Sequence, residues 1–164
     1  MPTAAILTVS DSRSAGTRAD TTTDLMCEIL AGIGIEVVAK RLVPDEQEEI
    51  AAAIVELAED ADLVLTSGGT GLAPRDVTPE ATRSVIDREA PGIAEAMRSE
   101  TARLQPLAWL SRAVAGTRGT TLVINLPGNP KAVRECLDVV GPMLGHALKL
   151  SSGAEGGAAH EPKS

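Results

Sequence analysis

A chain of 164 residues is the size of one domain, large enough to bury a real core, and no second folded domain is expected. Apolar residues make up 43% of it, but Trp109 is the only aromatic; the core must come from Val, Ile, Leu, Ala and Met, and aromatic platforms for nucleic-acid bases are largely excluded. The formal net charge of -8 repels nucleic acid and anionic membrane alike, so an anionic ligand requires a locally positive pocket.

Ala4 to Val9 is a nearly continuous apolar run, the pattern of a strand covered on both faces. The polar stretch Ser10 to Asp20 reads as a loop at that strand's carboxyl end, where open α/β sheets bind ligands. Leu25, Met26, Ile29, Leu30 and Ile33 recur at helical spacing, with Gly32 and Gly34 as stop signals. Ile35 to Val43 is a second strand. Asp45 stands where it could cap the following helix, with Glu48 completing a capping-box pattern, and Ile50, Ala53, Ile54 and Leu57 mark that helix's buried side. Leu63 to Thr66 is a third strand, and Thr78-Pro79 opens the helix carrying Ala81, Val85 and Ile86, which Pro91-Gly92 is expected to stop. A helix over Ile93 to Arg103 closes at Pro106, and the segment Leu107 to Gly116 carries no clear pattern. Thr121 to Leu126 is a strongly apolar strand that turns through Pro127-Gly128-Asn129-Pro130 into a helix marked by Val133, Cys136, Leu137 and Val140. A last helix is expected from about Met143 to Leu150, and the tail 151–164, poor in large apolar groups, is expected to be disordered.

Strands alternating with helices predict an α/β fold with a mostly parallel sheet, helices on both faces, and every strand-to-helix turn on one edge. That edge gathers the turns at Ser10, Pro44, Gly68 and Gly128. Cys27 and Cys136 lack C-x-x-C spacing and a nearby His cluster, and read as reduced, buried thiols. The N-terminus has no basic lead-in and no stretch reaches the roughly 18 apolar residues of a membrane span, so the expected location is the cytoplasm.

The chemistry concentrates between Thr66 and Thr82. Gly68, Gly69 and Gly71 let the backbone turn tightly and bring N–H groups close to an anion, and Arg75 and Asp76 add a cation and a carboxylate, a set suited to a phosphate with a metal ion. A P-loop is excluded because no Lys follows these glycines. The dinucleotide fingerprint is excluded because Pro74 stands at its third glycine. A helix cap alone would explain Asp45. Asp76 lies two residues before Thr78, the expected N-cap, so capping does not require it, and metal or catalytic duty is favoured. Asn129 is a helix cap whose helix N-terminus could also face an anion, with Lys131 one turn in as cation or surface charge. Ser111-Arg112 and Arg118 read as surface positions. Neither His146 nor His160 looks catalytic, and no Ser/His/Asp or Cys/His set can be assembled.

Six segments, in order, carry a resemblance: Thr-Val-Ser-Asp at 8–11, Val-Pro-Asp-Glu at 43–46, Gly-Gly-Thr-Gly at 68–71, Pro-Arg-Asp-Val-Thr-Pro-Glu-Ala-Thr at 74–82, Leu-Ser-Arg at 110–112 and Leu-Pro-Gly-Asn-Pro at 126–130. Together they resemble the molybdopterin adenylyltransferases, the MoaB/Mog domain that includes the G domain of gephyrin, over about residues 4–150. The resemblance implies one MoaB/Mog domain over residues 1–150, folded as a three-layer α/β/α sandwich and assembled as a homotrimer. It also implies a nucleotidyltransferase that moves AMP from Mg-ATP to the terminal phosphate of molybdopterin and releases pyrophosphate. The product would be handed to a molybdenum-insertion enzyme. In that resemblance Asp45 and Asp76 match the residues concerned with Mg²⁺ and catalysis, and Gly68, Gly69, Thr70 and Gly71 match the nucleotide and pterin-phosphate loop. Ser10 and Asp11 match the first loop near the nucleotide; Ser111, Arg112, Pro127, Gly128, Asn129 and Lys131 match positions around the pterin pocket. The chemistry fits, because bringing two anions together requires cations and N–H dipoles, while an ionised phosphate nucleophile needs no general base. The alternative is a non-enzymatic molybdopterin-binding scaffold or regulatory homologue on the same fold.

Overall fold

The computed structural model describes residues 1–17 and 19–154. The elements follow as β1 (Thr3–Val9), α1 (Asp11–Ser14), α2 (Thr22–Gly32), β2 (Glu36–Val43), α3 (Gln47–Ala58), β3 (Leu63–Ser67), α4 (Thr78–Val85) and β4 (Arg88–Glu89). Then come α5 (Pro91–Thr101), a 3-10 turn (Pro106–Leu110), β5 (Ala115–Arg118), β6 (Thr121–Leu126) and α6 (Pro130–Ser151). One six-stranded sheet runs in the order β2-β1-β3-β6-β5-β4, parallel from β2 through β6 and antiparallel at β5 and β4. This is the three-layer sandwich expected.

The burial pattern explains why the apolar runs become central strands. In β1, Ala4 and Ile6 face the layer of α2, α5 and α6, while Ala5, Leu7 and Val9 face α3 and α4. Val64 in β3 and Val123 in β6 join the second core; Leu63, Leu65, Leu122 and Ile124 join the first. Both faces are covered, so each central strand is buried at nearly every position and is mostly apolar. The edge strand β2 instead alternates exposed and half-buried residues.

The chain reverses its direction of travel across the sheet between β1 and β3. From β1 it passes to β2 on one side, and from β3 the next parallel strand, β6, lies on the other. The turns after these adjacent strands therefore diverge and leave a crevice at their carboxyl ends, the usual ligand position in open α/β sheets.

Several local expectations are corrected. The Ser10–Asp20 loop contains the short helix α1, which Ser10 caps by accepting the N–H of Arg13. The N-cap of α3 is Glu46, not Asp45, and that of α4 is Val77, not Thr78. Thr78 instead donates its hydroxyl to the carbonyl of Gly68 at 2.9 Å, tying α4 to the glycine turn. Pro91 does not stop a helix; it opens α5, because α4 has ended at Val85 and β4 intervenes. The unpatterned segment supplies the 3-10 turn and β5. The two expected C-terminal helices are one 22-residue helix, α6, that runs through Pro142. Proline has no N–H to donate to the carbonyl of Asp138, but Asp138 and Pro142 both lie on the exposed face of α6, where that oxygen is open to solvation rather than buried in the core. Of the tail, Ser151 ends α6 and Ser152 and Gly153 form a turn; the disorder expected of residues 155–164, and His160, lie outside the described residues.

Candidate active site

The crevice is a cleft of about 390 Å³ lined by Ser10, Arg13, Asp45, Gly68, Gly69, Thr70, Gly71, Asp76, Gly128 and Asn129, with Val9 at its base. The ends of all four parallel strands contribute. Gly68 (φ 104°) and Gly69 (φ 69°) adopt left-handed conformations that L-residues with side chains rarely take. The turn's base is fixed by Gly68 N–H to the Leu126 carbonyl at 3.0 Å and Ser67 Oγ to the Pro127 carbonyl at 2.8 Å. Among the described residues, no hydrogen bond occupies the N–H groups of Gly69, Thr70 or Gly71. They form a run of free donors in a glycine turn, the arrangement that binds anions.

Arg112 holds the outer side of this turn. Its backbone N–H donates to the Thr70 carbonyl (2.8 Å), its Nε to the Gly71 carbonyl (2.8 Å), one Nη to the Asp76 carbonyl (2.6 Å) and the other to Glu80 (2.5 Å). It thus shapes the loop and lies outside the cleft lining. Ser111 and Pro127 line a separate apolar cavity of about 70 Å³ between α5 and α6. Lys131 is exposed and does not line the cleft.

A second network fixes Asp45. Its Oδ2 accepts the N–H of Asp11 at 2.9 Å, and Asp11 Oδ1 accepts the N–H of Asp45 at 3.0 Å, a reciprocal clasp between the turns after β1 and β2. Arg75 locks the clasp, donating Nε to Asp11 Oδ2 (2.7 Å) and one Nη to Asp11 Oδ1 (2.9 Å), with a further bond to Glu46 (3.0 Å). Arg75 and Asp76, adjacent in sequence, therefore do not act as a pair: Arg75 stitches three turns together, while Asp76 bends back to accept the Ala73 N–H at 3.1 Å. The Arg75 fork holds the Asp11 carboxyl below the usual carboxylate range. Burial, reinforced by the charges of Asp11 and Asp76, pushes the Asp45 carboxyl above that range despite the Asp11 N–H bond.

Asp45 and Asp76 are the carboxylates of the cleft, beside Gly69 and Gly71 respectively. No group of three or more His, Cys, Asp or Glu among the described residues is arranged to hold a metal. Two carboxylates that repel each other fit Mg²⁺, which takes one or two protein carboxylates and completes its shell with substrate phosphates and water.

Asn129 caps α6 by accepting the N–H groups of Lys131 (2.9 Å) and Ala132 (3.3 Å). The donors of this helix start are consequently occupied, which removes the expectation that they face an anion. Arg13, which no sequence pattern singled out, enters the cleft from α1 and is only 7% exposed. The signal available was a lone Arg three residues after Ser10 in an acidic chain. Cys136 is buried, its thiol pushed up to about 11 by desolvation and the nearby Glu135 charge, and Cys27 is half-buried; both are free thiols.

A glycine turn with free N–H groups, two carboxylates and a buried arginine at a parallel-sheet switch point defines a phosphate-handling α/β domain. Residues 5–146 match the family described as the probable molybdopterin binding domain. The chain belongs to that family. It is 38% identical over 152 residues to the molybdopterin adenylyltransferase of Helicobacter pylori strain J99, covering 90% of this chain and 86% of that protein. It is 50% identical over 102 residues to the molybdopterin adenylyltransferase of Escherichia coli K12, covering 61% of this chain and 52% of that protein. Among solved structures, the molybdopterin biosynthesis enzyme MoaB of Thermus thermophilus superposes with a TM-score of 0.89 at 54% identity, covering 93% of this chain and 98% of that one.

Proposed function

We propose that this protein is a molybdopterin adenylyltransferase of molybdenum cofactor biosynthesis. A terminal phosphate oxygen of molybdopterin forms a bond to the α-phosphorus of ATP, the bond from that phosphorus to the bridging oxygen of the β-phosphate breaks, and pyrophosphate leaves with the electron pair. Adenylyl-molybdopterin is the other product. The observation that carries this reading is the union, in one cleft, of free glycine-turn N–H groups with Asp45 and Asp76.

The N–H groups of Gly69, Thr70 and Gly71 offset charge as two anionic groups approach, at a site partly shielded from water. Asp45 and Asp76 would hold Mg²⁺, which supplies charge neutralisation on the nucleotide phosphates. The Asp11 clasp and the Arg75 fork keep Asp45 in place; Arg112 keeps the glycine turn and the Asp76 backbone in place. No side chain is required to take a proton, because the phosphate nucleophile is already ionised. The proposal extends to the cytoplasm as location, a homotrimer as assembly and hand-over of product to a molybdenum-insertion enzyme. It is supported there by the family resemblance and, for assembly, by exposed Leu104, Leu107, Trp109 and Leu110.

Incubation with molybdopterin and Mg-ATP is expected to yield adenylyl-molybdopterin and pyrophosphate. Asp76→Asn should lower turnover by about 100-fold or more while leaving pterin binding mostly intact. Asp45→Ala should weaken Mg-ATP binding without a helix-cap loss, since the N-cap position of α3 is Glu46 and not Asp45. Undiminished turnover by Asp76→Asn would overturn the role assigned to it.

A further inference from the structure

The basic residues around the cleft are largely committed. Arg75 is spent on Asp11 and Glu46, Arg112 on Glu80 and two carbonyls, and Lys131 lies outside the lining. The backbone donors at the start of α6 are taken by Asn129. Arg13 is the one basic side chain of the cleft lining among the described residues.

Its surroundings are unusual for a buried arginine, which is almost never enclosed unless paired. Among the described residues it has no ion pair within 4.0 Å, and its Nε is buried with no hydrogen-bond partner. One Nη makes two long contacts, 3.4 Å to Thr22 Oγ1 and 3.4 Å to the Gly128 carbonyl. Asp20 is close enough for its carboxyl to feel the Arg13 charge, but its oxygens are bound to Thr23 and Thr8. A guanidinium enclosed at this cost, with an idle donor and weak tethers, is stabilised by any anion that can take its fork.

We propose that Arg13 binds a phosphate monoester dianion on the Gly128 side of the cleft, and that this dianion is the terminal phosphate of the pterin substrate rather than the nucleotide. The assignment rests on the adenylyltransferase reading. The two substrates differ in the charge they bring. The nucleotide arrives with its phosphates neutralised by a divalent ion and belongs beside Asp45 and Asp76, which repel a bare anion. The pterin phosphate arrives with a charge near about −2 and no metal, and Arg13 is the cation that can meet it. Held there, the nucleophile is positioned while the glycine-turn N–H groups remain available to the nucleotide.

The test compares wild type with Arg13→Gln, using inorganic phosphate without metal as the first probe. Phosphate should raise the melting temperature of the wild type and leave that of Arg13→Gln unmoved. In steady state, Arg13→Gln should raise KM for molybdopterin about tenfold or more and leave KM for Mg-ATP within about twofold, as loss of a charged hydrogen bond predicts. Arg13→Lys, which keeps the charge without the fork, should recover part of the phosphate response, and it carries the comparison if the Gln variant does not fold. An equal phosphate response in all three proteins, or a loss confined to Mg-ATP, overturns the assignment. Failure of the wild type to transfer AMP would remove the adenylyltransferase reading while the metal-free phosphate comparison still decides whether Arg13 binds an anion.

Discussion

Two glycines separate the structural from the chemical demands on the phosphate turn. At Gly68 a side chain would be both strained by the left-handed backbone and driven into the Val9 carbonyl oxygen, which belongs to a central strand and cannot move. At Gly71 the backbone is ordinary, and an added Cβ would lie 2.9 Å from Asp76 Oδ2, the far end of a side chain held by the Ala73 N–H. Gly68→Ala should therefore cost about 2 to 4 kcal/mol in denaturant unfolding. Gly71→Ala should melt close to wild type yet lose AMP transfer, because the new methyl pushes the Asp76 carboxylate aside. A Gly68→Ala protein that unfolds like wild type would show the turn to be looser than described. At this scale the sequence was uneven. Asp76 stood out because capping did not need it, whereas the partner of Asp45 lies 34 residues away and the partner of Arg75 lies 64 residues away, separations no local pattern encodes.

At the scale of elements, α2 is anchored by a residue outside its own first turn. Its N-cap, Thr21, makes no side-chain cap bond; Asp20 serves instead, accepting the Thr23 N–H at 3.1 Å and the Thr23 hydroxyl at 2.5 Å. Burial alone would raise the Asp20 carboxyl, but these Thr23 bonds, helped by the Arg13 charge, hold it below its ordinary value of 3.8. Because its folded value is depressed, the stability it contributes is fully present above about pH 4 and is lost as pH falls through the folded value. Asp20→Ala should cost about 1 kcal/mol at about pH 7, and the gap from wild type should narrow when unfolding is repeated near about pH 3. A gap independent of pH would mean that the carboxylate charge is irrelevant to the cap. The longer helices were legible in the sequence, but the short α1 inside the polar Ser10–Asp20 loop and the helix ends were not. Pro91 looked like a stop but opened a helix, and the separate helix expected from about Met143 is the continuation of α6 through Pro142, which lies on an exposed face.

For the whole molecule, burial among the described residues leaves a conspicuous apolar surface at the 3-10 turn. Leu107 and Trp109 are 67% and 60% exposed there, with Leu110 at the turn's end and Leu104 just before it. If the proposed homotrimer uses contacts of this kind, light scattering should give about three times the 16.9 kDa chain mass, and high salt should not lower it, since apolar contacts are not screened. A mass of one chain would sink the trimer.

The sequence by itself determined the layers, the alternation of strands and helices around a mostly parallel sheet, and the edge on which the phosphate turn opens. These follow from apolar periodicity and glycine turns, which act over a few residues. It also carried the family, through six ordered segments spanning most of the domain. The antiparallel β4 and β5 and the strand order came only from the structure. Tertiary structure alone also decided which charges remain free. Arg75 and Arg112, adjacent in sequence to candidate groups, are consumed by partners from other turns, and Arg13, unremarked in sequence, is left enclosed in the cleft with an idle donor. The physical reason is that commitment of a charge depends on what desolvates and pairs it, and both are set by segments brought together only when the sheet has formed.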